Sequence, residues 1–468
     1  MSNYWEVPAR RYIKEELTEY AKEKQLSTPQ EVVNKLLQLL PTAYEKDVKE
    51  YSPAAKAWMT LQMSKGSSLT YHMSEGLGEF IYDTKMYAVR NLSNHLVLQY
   101  IDRSGVDPIL PMGLKSCREM FSGWKLPRGF TFGAKFNTSK IVNMHDMFTD
   151  CTLPAGFTLG DYFDTSNVTD MGCMFYNCTL PEGFTLGDKF DTSKVTDTHA
   201  MFTECRFDEG FTLGDKFNTS KVTDMHNMFS DCKFSKGFTL GDKFDTSRVT
   251  DMCGMFAGCQ VPKGFTLGDK FNTSNATIME DMFASCKLPG GFTLGDKFDT
   301  GNVINMQYMF SGCTLPAGFT LGDKFDTSNV KDMSSMFNRC KLPKGFTLGD
   351  KFNTSNVTDM SYMFLECKFN MGFTLGNKFD TSKVTDMSGM FRLTELPEGF
   401  TLGDSFDTSN VKNMWGMFRQ SVLPEGFTLD VKFDTRYVTD IRHMFSGCTL
   451  GNERLDGSPK EIVERLRR

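Results

Sequence analysis

The chain has 468 residues, a net charge of −6, and 40% hydrophobic and 24% charged content, an ordinary balance for a folded protein. Residues 1–115 carry 14 basic and 14 acidic side chains and residues 449–468 carry five and four, which leaves the middle at −7, so no part has the basic footprint of a nucleic-acid binder. No apolar run reaches the roughly 18 residues that span a bilayer. Met1–Glu16 shows no apolar stretch between a basic end and a small-residue cleavage site. The expectation is a protein without a standard secretory signal or membrane span, cytoplasmic or virion-associated.

Residues 1–115 come first and carry no repeat. Arg10 to Lys24 is rich in helix formers. Thr28-Pro29-Gln30-Glu31 reads as a capping box with proline at the first helical position. It leads an apolar-periodic stretch of Val32, Val33, Leu36, Leu37 and Leu40 that Pro41 ends. Tyr87 to Ile101 predicts a further helix or strand. The segment is expected to be a small, mainly α-helical domain that also covers the first coil.

From Met120 to Met444 the dipeptide Met-Phe occurs thirteen times, and all twelve intervals are 27 residues. A fixed period of this size marks a repeat architecture. A period without insertions predicts a solenoid of thirteen coils over residues 116–448, because coils of equal path length can stack. The Phe series Phe130 to Phe427 and Phe136 to Phe433 and the Thr series Thr138 to Thr435 are each filled twelve times. Stacked slots therefore predict aromatic spines, each ring burying roughly 150–250 Å².

Two elements are predicted within each coil, here in the copy that starts at Gly345. FTLGDKF sets aromatic and β-permissive residues at short intervals, which predicts a short parallel strand. The stretch from Val357 to Cys367 has apolar residues at i, i+3, i+6, i+7 and i+10, which predicts a short α or 3₁₀ segment, capped by Ser355 and Asn356. Leu-Pro-x-Gly then turns the chain. Beyond the repeats, Ser458-Pro459-Lys460-Glu461 is a second helix-start signal, and residues 449–468 are expected to form a C-terminal capping helix.

Ten of the 13 cysteines, Cys151 to Cys367 and Cys448, sit four residues after the repeat Met. One thiol per coil in one slot predicts a ladder of buried, reduced cysteines. The Asp series Asp161, Asp188, Asp215 and onward could line up carboxylates for calcium, but Lys follows most of them (Lys189, Lys216, Lys243), so a solvated, self-compensating face is expected. A slot that mixes Asn137, Asp164, Asn218, Asp245 and Asn272 suits hydrogen bonds between coils. His145, His199 and His226 share a slot; surface histidines are expected there rather than zinc ligands. Cys173 and Cys253 read as exposed thiols with nothing to activate them. No catalytic constellation, cofactor motif or metal set emerges from the repeat, so the chain is expected not to be an enzyme.

The string DTSNVKDMSSMFNRC, Asp326 to Cys340, strongly resembles the BspA-like leucine-rich repeat surface proteins, whose 26-residue bacterial surface repeat is close to W-D-x-S-x-V-T-x-M-x-x-M-F. The resemblance covers about 330 residues in thirteen copies. Here the family Trp is Phe, the period is 27, and the link LPxGFTLGDKF replaces a shorter stretch. The resemblance implies a right-handed leucine-rich-repeat-like solenoid and roles in adhesion or host contact, in bacteria, parasitic protists or large DNA viruses.

Variation between copies points to the binding surface. The two residues before the repeat Met and the pair after Met-Phe differ from copy to copy, and variable residues on a regular scaffold are where recognition is built. The candidates are Trp415, Arg419, Tyr362, Tyr308, Arg339 and Arg392, with Trp415 the anchor because Trp is enriched at hot spots. The reading is a non-enzymatic interaction protein with a protein or glycan partner. The other reading is a virion or cell-envelope component in which the solenoid is a spacer.

Overall fold

A computed structural model describes strands within residues 76–106, and residues 115–467 apart from 124, 127 and 135. The helices expected between Arg10 and Pro41 lie outside the described residues. In the described part of the N-terminal region, β1 (Gly76–Tyr82), β2 (Lys85–Leu92), β3 (His95–Asp102) and β4 (Gly105–Val106) form one antiparallel sheet in chain order. The expected mainly helical character is corrected for this part. Tyr87 to Ile101 is not one element but a hairpin, with Leu92 paired to His95. Its β-branched and aromatic residues suit strands.

The chain forms two compact units, Met1–Thr196 with Leu213–Phe217, and Asp197–Thr212 with Asn218–Arg468. Within the first, parallel bridges join Ser116 to Asn143 to Asp170, and Lys125 to Thr152 to Thr179. Within the second, one series runs from Asp197 through Asp224 to Asp440, and another from Arg206 through Lys233 to Val422. Each bridge joins a residue to the one 27 positions later, so successive coils lie in register.

The bridges do not fall where strands were expected. FTLGDKF forms no strand: Phe346 and Leu348 point inward, then Gly349 takes φ +82° and the chain turns, with the Phe352 amide donating to the Gly349 carbonyl at 3.3 Å. Only glycine holds that conformation cheaply, so the alternation ends after three residues. The bridging residues are instead Asp359, just before Met360, and Lys368, just after Cys367.

The expected helix is also corrected. Between Met360 and Cys367 the amides of Met363, Leu365 and Cys367 donate to the carbonyls three residues back, at 3.0–3.3 Å. The amides of Met360, Tyr362, Phe364 and Glu366 donate instead to the next coil, to Asp386, Ser388, Met390 and Arg392, at 2.8–3.0 Å. Left-handed residues at Tyr362 (φ +56°) and Glu366 (φ +54°) impose this alternation. The segment keeps a three-residue apolar spacing, which is why it reads as helical, while half its amides join coils.

Inside each coil the invariant slots are buried. Phe256, Phe283, Phe310 and Phe337 stack with centroids 5.8 Å apart. Phe298, Phe325 and Phe352 stack at 6.4–6.5 Å, and the Phe319 ring meets Phe310 edge-on at 5.9 Å. From Thr138 to Thr408 the Thr slot is fully buried, and the Thr354 hydroxyl donates to the Asp380 carbonyl of the following coil at 2.7 Å. The mixed Asp/Asn slot works differently from the expectation. Asn272 accepts through Oδ1 from the Ser274 amide at 3.0 Å, and Asp245 from Ser247 at 2.9 Å. These are turns within a coil, and either residue serves because only the shared oxygen acceptor is used.

At the C-terminal end, β5 (Val422–Leu423), β6 (Thr449–Leu450) and β7 (Glu453–Arg454) form a small sheet in that order. Helix α1 spans Pro459–Leu466. The Glu461 amide donates to Ser458 Oγ and the Ser458 amide to the Glu461 carboxylate, a complete capping box. The helix buries Ile462, Val463 and Leu466, and the Leu466 carbonyl accepts from the Leu429 amide at 2.9 Å.

Candidate partner-binding edge

Two of the four variable slots, the residue just before the repeat Met and the third after it, hold strained backbone. Tyr308, Tyr362 and Arg339 have φ of +55°, +56° and +53°. Non-glycine residues held there cost roughly 1–3 kcal/mol and persist only where the surroundings determine them. They are determined here by hydrogen bonds on both sides: the Tyr362 amide donates to Ser388 at 2.8 Å, and its carbonyl accepts from Leu365 at 3.0 Å. Side chains at these positions do not enter the core, so the slots are free to vary.

Trp415 is half-buried and lies in a cluster. The guanidinium carbons of Arg392 and Arg419 sit 5.6 and 5.7 Å from its ring centroid. The His443 ring approaches edge-on at 6.2 Å. The cluster follows from the period: Arg392 and Arg419 are one coil apart in one slot, and Trp415 lies four residues before Arg419. A guanidinium over an indole gains ~0.5–1 kcal/mol at an exposed site. Arg392 Nε is buried with no hydrogen-bond partner among the described residues.

The other candidates lie in earlier coils. Tyr362 lies over Gly389 of the next coil; a Cβ there would come within 2.5 Å of the Tyr362 ring. Arg339 pairs with Glu366, one period later, through Nε at 2.9 Å and Nη2 at 3.3 Å, and this bond raises the Arg339 pKa. Tyr308 is two coils before Tyr362 in the same slot and stands outside the Trp415 cluster. Glu366 lies in the variable pair after Met-Phe, and its charge opposes that of Arg339 at a separation of 27; His443 is the participant that the sequence reading missed.

The chemical alternatives also have clear positions. Asp242, Asp269, Asp296 and Asp323 are exposed, as a solvated face requires. The histidines are half-buried: His145, His199 and His226 side chains are 15%, 20% and 34% exposed. In the second unit the His199 and His226 rings stack at 4.7 Å, and Nδ1 of each meets the carboxylate of Asp197 or Asp224 at 2.7 Å. The Asp224 hydrogen bond raises the His226 pKa above its ordinary value, against burial. Asp224 itself is pushed up by burial and drawn lower overall by the His226 hydrogen bonds and charge. In the first unit a His145 ring nitrogen and the Cys173 thiol lie within 4.8 Å, offering a pair of donors.

All 13 cysteines are unbridged. The Cys313 thiol donates to the Phe283 carbonyl at 2.8 Å, and burial pushes its pKa up to about 12. Cys173 and Cys253 are half-buried rather than exposed. Burial, with Glu280 nearby, pushes Cys253 up to about 12 as well, so it is not an activated thiol.

The in-register coils and their variable edge define a repeat protein. The family described as Mycoplasma protein of unknown function, DUF285, matches residues 115–237, 184–289, 209–314, 263–343, 292–392, 315–418 and 376–460. The chain belongs to this family, which spans its whole repeat region. No curated protein and no solved structure matches the chain. No helix among the described residues is long and apolar enough to cross a membrane.

Proposed function

We propose that this chain is a non-enzymatic interaction protein, a BspA-like leucine-rich-repeat solenoid that holds a protein or glycan partner along its variable edge, in adhesion or host contact. One observation carries the reading: a half-buried Trp415 flanked by two guanidiniums on slots that the coil leaves free to vary. An indole face and planar donors beside it suit a sugar ring or a peptide amide and carboxylate alike. Arg339, Tyr362 and Tyr308 extend the edge toward the N-terminal coils. Residues 1–115 form a separate N-terminal domain in this reading, and residues 449–468 close the last coil.

The test is a glycan array and an affinity capture, each run with the wild-type chain and with Trp415→Ala/Arg419→Ala. A ligand held by the first and lost by the second, with unchanged thermal unfolding, supports the edge. Ligands held equally by both chains sink it. The spacer reading draws on the invariant interior, which asks only for stacking. In that case, removal of one whole coil (27 residues) would leave function intact once length is restored elsewhere.

A further inference from the structure

A second surface, distinct from the Trp415 edge, changes character within the second unit. It is built from two exposed slots, five and eight residues after the repeat Met. In the five coils from Met228 to Met336 six of these ten positions are lysine (Lys233, Lys236, Lys263, Lys287, Lys341 and Lys344) and the other four are uncharged. In the last coils the same slots carry Lys368, Met371, Glu395, Glu398, Val422 and Glu425. The parallel bridges from Lys341 to Lys368, Glu395 and Val422 keep the first slot continuous through the change.

At the acidic end the surface is concave. A groove of about 1410 Å³ runs over the last coils, and Glu453 of β7, paired with Arg465 at 3.2 Å, stands in its wall. Apolar groups lie open in it: Met371 is 85% exposed, Val422 40% and Leu393 37%. Met371 stands where the link of most copies has a small or charged residue after Pro. Asn370, also in the groove, has an Oδ1 that is buried and lacks a hydrogen-bond partner among the described residues.

We infer that this groove docks an extended basic segment of a partner protein, with Lys or Arg alternating with apolar side chains. Extended chains send successive side chains to opposite faces, so along the groove one set faces the slot of Met371, Glu398 and Glu425 and the other the slot of Glu395 and Val422. From Lys368 to Thr449 the groove covers three coil steps of about 4.8 Å each, about 14 Å, the reach of four to five extended residues at ~3.3 Å. The lysines of the preceding coils repel such a segment and fix where it ends. Like charges in juxtaposition suppress wrong registers as effectively as opposite charges favour the right one.

The probe is a fluorescein-labelled hexapeptide of alternating lysine and leucine, titrated with the full-length chain and read by anisotropy. A glutamate–leucine hexapeptide is the comparison. The lysine peptide is expected to bind with a dissociation constant on the order of micromolar at low salt and to weaken at least tenfold as salt shortens the screening length. Glu398→Lys/Glu425→Lys should weaken it tenfold or more, and Met371→Ser/Val422→Ser severalfold. Asp269→Lys/Asp296→Lys makes the same change in net charge on the exposed Asp slot and should leave binding within twofold. Trp415→Ala should also leave it unchanged, so this groove and the proposed edge stand or fall separately. Equal loss in both charge-reversal pairs, equal binding of the glutamate peptide, or no saturable binding overturns the inference. So does self-association of the chain that the Glu398/Glu425 pair abolishes, because the occupant is then a second copy.

Discussion

Within one coil, the inward and outward slots obey opposite rules. Inward, Met360, Met363, Phe364, Phe352 and Thr354 are buried to 2% exposure or less, and their counterparts recur with almost no substitution. Outward, Tyr362 and Glu366 lie within three residues of those positions, and their counterparts change freely. The difference is one of neighbours. An inward residue meets its own copy above and below, so a change of volume is felt in both adjacent coils. An outward residue meets solvent and one or two long side chains. Invariant packing and free variation are therefore separated at single-residue resolution between Met360 and Cys367.

This separation can be broken most sharply from the inside. Phe337→Ala removes a ring stacked on both sides and should cost about 3–5 kcal/mol, measured by denaturant unfolding. A loss below ~1 kcal/mol would mean that the coils collapse around the gap and that the stack is not what holds them. Next comes Thr354→Val, which keeps the shape but leaves the Asp380 carbonyl without the Thr354 hydroxyl that donates to it at 2.7 Å. It should cost about 1–3 kcal/mol.

The outward slots sharpen the comparison from the other side. Arg339→Ala breaks the exposed pair with Glu366 and should change stability by no more than ~0.5 kcal/mol. A cost comparable to that of Thr354→Val would show that the edge also holds the coils together. The smallest effect is a pH dependence at His226. Its folded pKa is raised by Asp224, so its stabilising contribution is fully present below the unfolded value near 6.5 and is lost as pH rises through the folded value. Histidine NMR titration should place the His226 midpoint above 6.5, and Asp224→Asn should bring it down. An unchanged midpoint in the variant would remove the carboxylate as the cause.

The interior was legible because stacking converts a repeated letter into a repeated contact. The spines, the Thr bonds between coils and the unbridged cysteines follow from period and burial. So does the start of α1, because Ser458 to Glu461 satisfies its own amides locally. The edge was half legible. Trp415, Arg392 and Arg419 were chosen as variable residues, but their meeting in one cluster, with His443 beside it, depends on side-chain direction, which the period does not give.

The amino-acid sequence by itself determined the 27-residue register and which slots are buried, since a slip of one residue would expose a column of Phe and Met. The tertiary structure alone decided how the backbone joins coil to coil. A spacing of i and i+3 fits both a helix and a chain whose amides alternate between its own turn and the next coil. Only a neighbouring coil, with carbonyls placed to receive the amides of Met360, Tyr362, Phe364 and Glu366, makes the second arrangement the stable one. It holds Tyr362 in a left-handed conformation that local propensity opposes.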